Sequence, residues 1–143
     1  MKAVWAWPLS LLLLAPATAL SCECVEPSAS RAYRQSYAVV QATVVELRGS
    51  DDSKQGVTAV LRPSRAWKQN VEAELEVHTA TTCAFDFKPD QDYLLYLHRS
   101  AGTGRLSTHA CMGNREATRA QPSMNWLQRH GRTAEITPRR SAK

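Results

Sequence analysis

The sequence predicts a mainly β protein: a five-stranded, OB-like β-barrel with a short N-terminal helix, a short C-terminal helix and two disulfides. Five segments rich in β-branched and aromatic residues are separated by turn-forming residues, which favours a small barrel. Two segments with helical patterning flank these strands. Four cysteines, Cys22, Cys24, Cys83 and Cys111, follow an apolar leader that is typical of exported chains, where disulfides persist.

The leader, residues 1–21, has the parts of a cleaved signal peptide. A basic residue precedes the apolar run Val4–Leu14, and the small residues Ala19 and Ser21 stand at positions −3 and −1 of a cut before Cys22. The run is shorter than the roughly 20 residues of a spanning helix, so we expect no transmembrane segment. We expect a secreted protein, extracellular or periplasmic. A bacterial lipoprotein signal is the alternative, but acylated Cys22 would leave an odd number of thiols.

The mature chain has the size of one domain. Cleavage leaves 122 of 143 residues, which we divide into an OB-fold domain (22–120) and a basic C-terminal helix and tail (121–143), partly disordered. We expect a monomer. Beyond Cys111 the chain carries seven Lys or Arg residues against two Glu, so this tail is a candidate surface for an acidic partner or polyanion. Nucleic acid is excluded as a partner by the compartment and by the lack of interleaved aromatic residues.

The first half of the domain is read as a helix and two long strands. Ser28–Ser36 follows a proline, with Ser28 as the N-cap of a short helix. Tyr37–Leu47 is apolar and β-branched, long enough to be a curved strand. Val57–Trp67 is a second strand, in which Pro63 predicts a bulge or an edge position.

The second half is read as three strands and a helix. Val71–Val77 alternates strictly and places three glutamates on a solvated face. A loop around Cys83 leads to Tyr93–Leu97, the most apolar segment and the predicted central strand. Leu106–Cys111 is the last predicted strand, and Pro122–His130 the closing helix.

The sequence does not predict an enzyme. It contains no nucleophile elbow, no His-Glu-x-x-His motif and no Gly-rich phosphate loop, and its four histidines lack ligand-like spacing. The Cys-x-Cys pair with two lone partners lacks the paired spacing of a zinc site. We therefore expect no cofactor and no metal of its own. The four cysteines allow three disulfide pairings, and their spacing does not choose among them.

In their order, these motifs resemble the netrin-like (NTR) module, and within it the N-terminal domain of the tissue inhibitors of metalloproteinases (TIMPs). The matching segments are Cys22-Glu23-Cys24, the short helix, Ala38–Val45, Thr79–Cys83, Asp92–Tyr96 and Thr108–Cys111. The resemblance implies a five-stranded OB-like barrel flanked by helices. It also implies the disulfides Cys22–Cys83 and Cys24–Cys111.

The resemblance further implies inhibition of a zinc metalloprotease. The α-amino and carbonyl groups of Cys22 would chelate the partner's catalytic zinc, and Glu23 would enter the S1′ pocket. Cys24, Val25 and the pair Thr81-Thr82 would contact the protease around it.

The chain departs from the inhibitors in three ways. The family usually has a small neutral residue where this chain has Glu23, and a third bridge and a second cysteine-rich subdomain are missing. NTR modules also occur in proteins that only bind partners. The alternative function is therefore a non-catalytic NTR-type binding module for another exported protein or a polyanion.

Overall fold

The structure is a computed structural model that describes residues 22–49 and 55–139. The predicted signal peptide, residues 1–21, lies outside the described residues, as do residues 50–54 and 140–143.

The described chain consists mainly of β-strands with two α-helices. The helices are α1 (Ala29–Gln35) and α2 (Gln121–His130), and short 3₁₀ turns cover Ala110–Met112 and Ala117–Arg119. The strands are β1 (Ala38–Gly49), β2 (Val57–Trp67), β3 (Val71–Glu72), β4 (Leu75–Thr79), β5 (Asp92–Arg99), β6 (Leu106–Ser107), β7 (Arg115–Glu116), β8 (Thr133–Ala134) and β9 (Ile136–Thr137).

Five strands close into a barrel in the order β1-β2-β4-β6-β5, with β5 returning to β1. All neighbours are antiparallel except β4 and β6, which run parallel. The third and fifth barrel strands are thus neighbours, and the fourth closes on the first, which is the OB-type arrangement. The predicted five-stranded OB-like barrel with two flanking helices is confirmed.

Two bulges bend the long pair β1 and β2. The register leaves Ser64 unpaired in β2, next to Pro63, and leaves Val45 unpaired in β1. An extra residue on one strand bends it and increases its twist, which lets strands of this length close a small barrel. The bulge predicted from Pro63 is present, and so is a local edge position: β4 pairs with β2 only as far as Leu61 and β8 only from Ala66, so among the described strands β1 alone pairs with β2 around Pro63.

The strand β5 is buried on both faces. Tyr93, Leu95 and Leu97 point into the barrel core, whereas Leu94 and Tyr96 belong to a second apolar cluster with residues of α1 and α2. Successive side chains of a strand point to opposite faces, so a strand covered by helices on its outer side has no polar alternation. This burial explains the continuous apolar run Tyr93–Leu97.

Two predicted strands are shorter in the structure. The predicted strand Val71–Val77 bends at residues 73–74, where β3 leaves β4 and pairs in parallel with β9. The Ala73 amide donates to the Thr137 carbonyl (2.8 Å), a contact between distant parts of the chain that alternation could not predict. The predicted last strand, Leu106–Cys111, ends at Ser107, and a 3₁₀ turn follows.

The C-terminal segment covers one side of the barrel. Helix α2 buries Met124 and Leu127, and the residues after it add β8 to β2 and β9 to β3. Within the described residues, the predicted basic tail therefore packs on the barrel as far as Thr137. Among all the residues that the structure describes, no helix is long and apolar enough to cross a membrane.

Candidate functional site

The N-terminal segment, residues 22–28, has no regular secondary structure and is held by two disulfides. Cys22 is bonded to Cys83 and Cys24 to Cys111, with Cα–Cα distances of 5.2 and 5.0 Å. These are the pairings that the resemblance implies. The Cys22 sulfur lies 3.4 Å from the Cys111 sulfur, so the two bridges are in contact. They join the N-terminus, the loop around Cys83 and the 3₁₀ turn at one place.

The loop around Cys83 is anchored to the barrel. The Phe85 amide donates to the Thr79 hydroxyl (2.7 Å), and the Phe85 ring packs edge-to-face against Phe87 and Tyr93 at centroid distances of 4.9 and 5.3 Å. The Ala110 amide donates to the Cys83 carbonyl (2.8 Å), which links this loop to the 3₁₀ turn. Both attachment points of the N-terminus are therefore connected to each other as well as to the core.

Asn114 holds the 3₁₀ turn against strand β5. Its side-chain oxygen accepts from the Tyr96 amide (2.8 Å), and its amide nitrogen donates to the Thr108 hydroxyl (2.7 Å) and the His109 carbonyl (3.1 Å). The buried Thr108 hydroxyl donates in turn to the Tyr96 carbonyl (2.8 Å). We did not predict a role for Asn114, because an Asn after a Gly indicates only a turn.

The residues that the resemblance assigns to protease contact lie on two segments that the Cys22–Cys83 bridge joins, and all but the half-buried Cys22 are exposed. We call them the N-terminal ridge: Cys22, Glu23, Cys24, Val25, Thr81 and Thr82. Val25 is 89% exposed, the most exposed large apolar side chain of the described residues. Thr81 and Thr82 are also exposed, and Cys83 beside them carries the bond to Cys22. The Glu23 carboxylate makes no hydrogen bond or ion pair with any described residue. The ridge thus presents an apolar side chain, a free carboxylate and two hydroxyls to solvent.

Two contacts hold the segment that follows the ridge. Glu26 pairs with Arg115, an exposed ion pair of modest strength. Gly113 adopts a left-handed conformation (φ 93°), and a Cβ there would lie 3.2 Å from Cγ of Pro27 and 3.4 Å from Cβ of Ala32. A glycine is required where the chain crosses so closely.

The sulfur cluster is not a metal site. Cys22, Cys83 and Cys111 form the one group of described residues in which three potential ligand atoms lie within 4.8 Å of one another. All three sulfurs are in disulfides and offer no thiolate, which is the form that binds metals. His109 Nδ1 accepts a hydrogen bond from the Cys111 amide (3.2 Å).

A concave surface of about 630 Å³ lies elsewhere and has charges of both signs. Four of its six Glu and Arg side chains have partners: Glu74 pairs with Arg139, Glu76 pairs with Arg48 outside the concavity (2.7 Å), and Arg99 donates to the Tyr37 hydroxyl (2.9 Å). Two of the three glutamates predicted to form a solvated face are therefore ion-paired.

No protein-family model and no curated protein sequence matches this chain.

Proposed function

We propose that the chain is a secreted, TIMP-like inhibitor of zinc metalloendopeptidases, which acts through the α-amino and carbonyl groups of Cys22. The observation that supports this proposal most is the construction of the N-terminal ridge. Cys22 and Cys24 are both covalently held to the barrel, while Glu23 and Val25 are exposed. A terminus that is both rigid and accessible suits insertion into an active-site cleft.

Rigidity matters because binding would otherwise have to order a flexible terminus. Fixing one residue's backbone costs about 1–2 kcal/mol, so holding residues 22–24 in advance avoids several kcal/mol of this cost. Catalytic zinc keeps one coordination position open for water or substrate and accepts nitrogen and oxygen ligands. An α-amino group, with an ordinary pKa of about 7.7–8.0, loses its proton at modest cost to become such a ligand.

The proposal requires export and cleavage before Cys22, since the chelating amino group exists only at a free terminus. The apolar leader and the two disulfides support export. In this proposal the chain performs no catalysis itself. It displaces the protease's water and occupies its cleft.

Glu23 is expected to weaken inhibition of proteases with an apolar S1′ pocket. Its carboxylate would lose water on entering such a pocket without gaining a partner. Replacing it by a small neutral residue, Glu23→Thr, should then strengthen inhibition. If Glu23 contributes nothing to contact, the substitution will leave inhibition unchanged.

The test compares two proteins on a panel of zinc metalloendopeptidases. One begins at Cys22 and the other carries a single alanine before Cys22, and intact mass confirms two disulfides in each. We expect inhibition by the first and a loss of at least 100-fold for the second, because the added residue removes the chelating amine. Equal inhibition by both would place the interface elsewhere and overturn the chelation mechanism.

The alternative function, a non-catalytic binding module for an exported protein or a polyanion, is favoured by the uncommitted cations of the C-terminal half. If neither protein inhibits any protease in the inhibition test, the binding-module function is favoured. The predicted basic tail is not one surface, however. Arg139 pairs with Glu74, whereas Arg129 on α2 and Arg132 just after it have no ion pair among the described residues.

A further inference from the structure

A groove without carboxylates runs between the second half of β2 and the C-terminal segment. It consists of three adjoining concavities of about 480, 340 and 330 Å³. The first two share Ser64, Arg65 and Gln128, and the last two share Thr133 and Ala134. Because neighbouring concavities share lining residues, we treat them as one elongated surface, which we call the β2–α2 groove.

The lining of the groove combines cations with neutral hydrogen-bonding groups. Its cations are Arg65, Lys68 and Arg132, and its side-chain amides are Gln41, Gln69, Asn70, Gln121 and Gln128. No Asp or Glu lines any of the three concavities. Every carboxylate in the described ion pairs, by contrast, lies outside this groove.

The charge around the groove has the same sign. Three segments surround the groove: α1 (29–36), the end of β2 (62–70) and α2 with its flanks (117–134). Together they contain eight Lys or Arg residues and no Asp or Glu. The ring of Tyr33 on α1 lies 5.5 Å from that of Trp126 on α2, so these elements are adjacent. Two carboxylates flank the groove, Asp92, which accepts from the Gln41 side-chain amide (2.8 Å), and Glu135, which follows Ala134, but the eight cations outnumber them.

Arg65 and Gln128 are the groups best placed to bind a ligand. Both are exposed, both line two of the concavities, and neither side chain makes a hydrogen bond or ion pair within the described chain. The Lys68 ammonium, in contrast, is already hydrogen-bonded within the chain, because it donates to the carbonyls of Tyr33 (2.8 Å) and Arg34 (3.1 Å) at the end of α1. It contributes positive potential, whereas Arg65 and Gln128 offer free donors.

We propose that the β2–α2 groove binds an extended anionic polysaccharide. The side-chain amides of Gln69 and Gln128, which have no hydrogen-bond partner among the described residues, are suited to sugar hydroxyls, which both donate and accept. Arg65 is suited to a sulfate, phosphate or carboxylate group on the polysaccharide. The site lies on different elements from the N-terminal ridge, so the proposal does not depend on protease inhibition.

Other polyanions fit this groove less well. A membrane surface would need exposed apolar side chains, but the two large ones in the described residues, Val25 and Val45, do not line it. Single-stranded nucleic acid would need exposed rings for base stacking, and Trp67, the ring in the groove, is 4% exposed. An extended acidic peptide would pair with a strand edge, but the unpaired edge of β2 covers only residues 62–65, where Pro63 has no N–H to donate and Ser64 is bulged.

The experiment uses heparin as the probe polysaccharide and the disulfide-bonded chain beginning at Cys22. Affinity is measured by isothermal titration calorimetry at two salt concentrations for wild type, Arg65→Gln, Gln128→Ala and the double variant. The matched control is Arg105→Gln, which removes one exposed arginine from outside the groove. Circular dichroism and thermal melting verify that each variant is folded. Polyglutamate and uncharged dextran serve as comparison ligands.

We expect the double variant to lose about tenfold in heparin affinity, as the loss of a charge-assisted hydrogen bond implies. Arg105→Gln should change it less than twofold, and Gln128→Ala should weaken heparin binding but not polyglutamate binding. An equal loss in Arg105→Gln would show that only net charge matters and would overturn the site. If the protein does not bind heparin at low salt, the assignment to a polysaccharide is wrong. It is also wrong if polyglutamate binds as tightly as heparin does and Gln128→Ala weakens the binding of both equally.

Discussion

Removing one disulfide tests how strongly the N-terminal ridge is tied to the barrel. A bridge stabilises the fold by restricting the unfolded chain, and its effect grows with the length of the loop that it closes. Taken alone, Cys22–Cys83, with a separation of 61 residues, would contribute about 4.3 kcal/mol. Cys24–Cys111, with a separation of 87, would contribute about 4.6 kcal/mol.

The two bridges are coupled, because each shortens the loop that the other closes. Cys22 and Cys24 are 2 positions apart in the chain, and Cys83 and Cys111 are 28 positions apart. With one bridge intact, the second therefore closes a path of about 30 residues and contributes about 3.6 kcal/mol. Removing either bridge should cost about 3.6 kcal/mol, and removing both about 8 kcal/mol. The four cysteines are exposed or half-buried, so replacing them by alanine adds little packing loss.

The measurement is guanidinium unfolding, with the fluorescence of Trp67 and Trp126 as the readout. Three variants are compared with the wild type: Cys22→Ala/Cys83→Ala, Cys24→Ala/Cys111→Ala and the variant lacking all four cysteines. Reduced wild type is the control and should match the variant without cysteines. Domains of this size have about 5–15 kcal/mol of stability, so a loss of about 8 kcal/mol removes half of it or more. A loss below about 1 kcal/mol for either bridge would refute the entropic reasoning. So would a variant without cysteines that is as stable as the single-bridge variants.

Two further substitutions test contacts near the site. Gly113→Ala should destabilise the fold by about 1–3 kcal/mol, because alanine would have to adopt a left-handed backbone and approach Pro27 closely. Gly102→Ala, where a Cβ meets nothing within 4 Å, should cost less than about 0.5 kcal/mol in the same guanidinium titration. Tyr96→Phe should be neutral or stabilising by up to about 1 kcal/mol, because the buried Tyr96 hydroxyl has no hydrogen-bond partner among the described residues. A stability loss above about 1 kcal/mol would contradict this reasoning. Burial raises the pKa of Tyr96, and the nearby Ser123 hydroxyl opposes this rise without meeting hydrogen-bond geometry. Wild-type stability should therefore fall as the pH rises above about 10, where the unfolded chain loses the tyrosine proton that the folded chain retains, and Tyr96→Phe should show a shallower fall.

The barrel was predictable because its strands carry local signals. Tyr93–Leu97 is apolar on both faces, and its burial between the barrel core and the helices is what such a run predicts. Pro63 cannot donate a ladder hydrogen bond, and a bulge follows at Ser64. Val71–Val77 was misread as one strand because its alternation is local, whereas β9, which pairs with its first part, lies more than 60 residues away.

The candidate site was predictable only in part. The Cys-x-Cys terminus is visible in the sequence, and the resemblance implied the bridges that the structure shows. The support of that terminus was not predictable: Asn114 acts through three hydrogen bonds to residues that neighbour it only in the fold. The β2–α2 groove was missed for a related reason. Arg65 and Gln128 are 63 positions apart and have no shared spacing in the chain.

The sequence by itself determined the period of each strand, the position of the bulge and the set of cysteines available for bonding. These properties depend on neighbouring residues, and a side-chain pattern or a proline expresses them locally. The tertiary structure decided which cysteines pair, where the C-terminal segment attaches and which polar side chains share a surface. Such choices depend on which distant segments the closed barrel brings within a few ångströms of one another, and no local pattern records that distance.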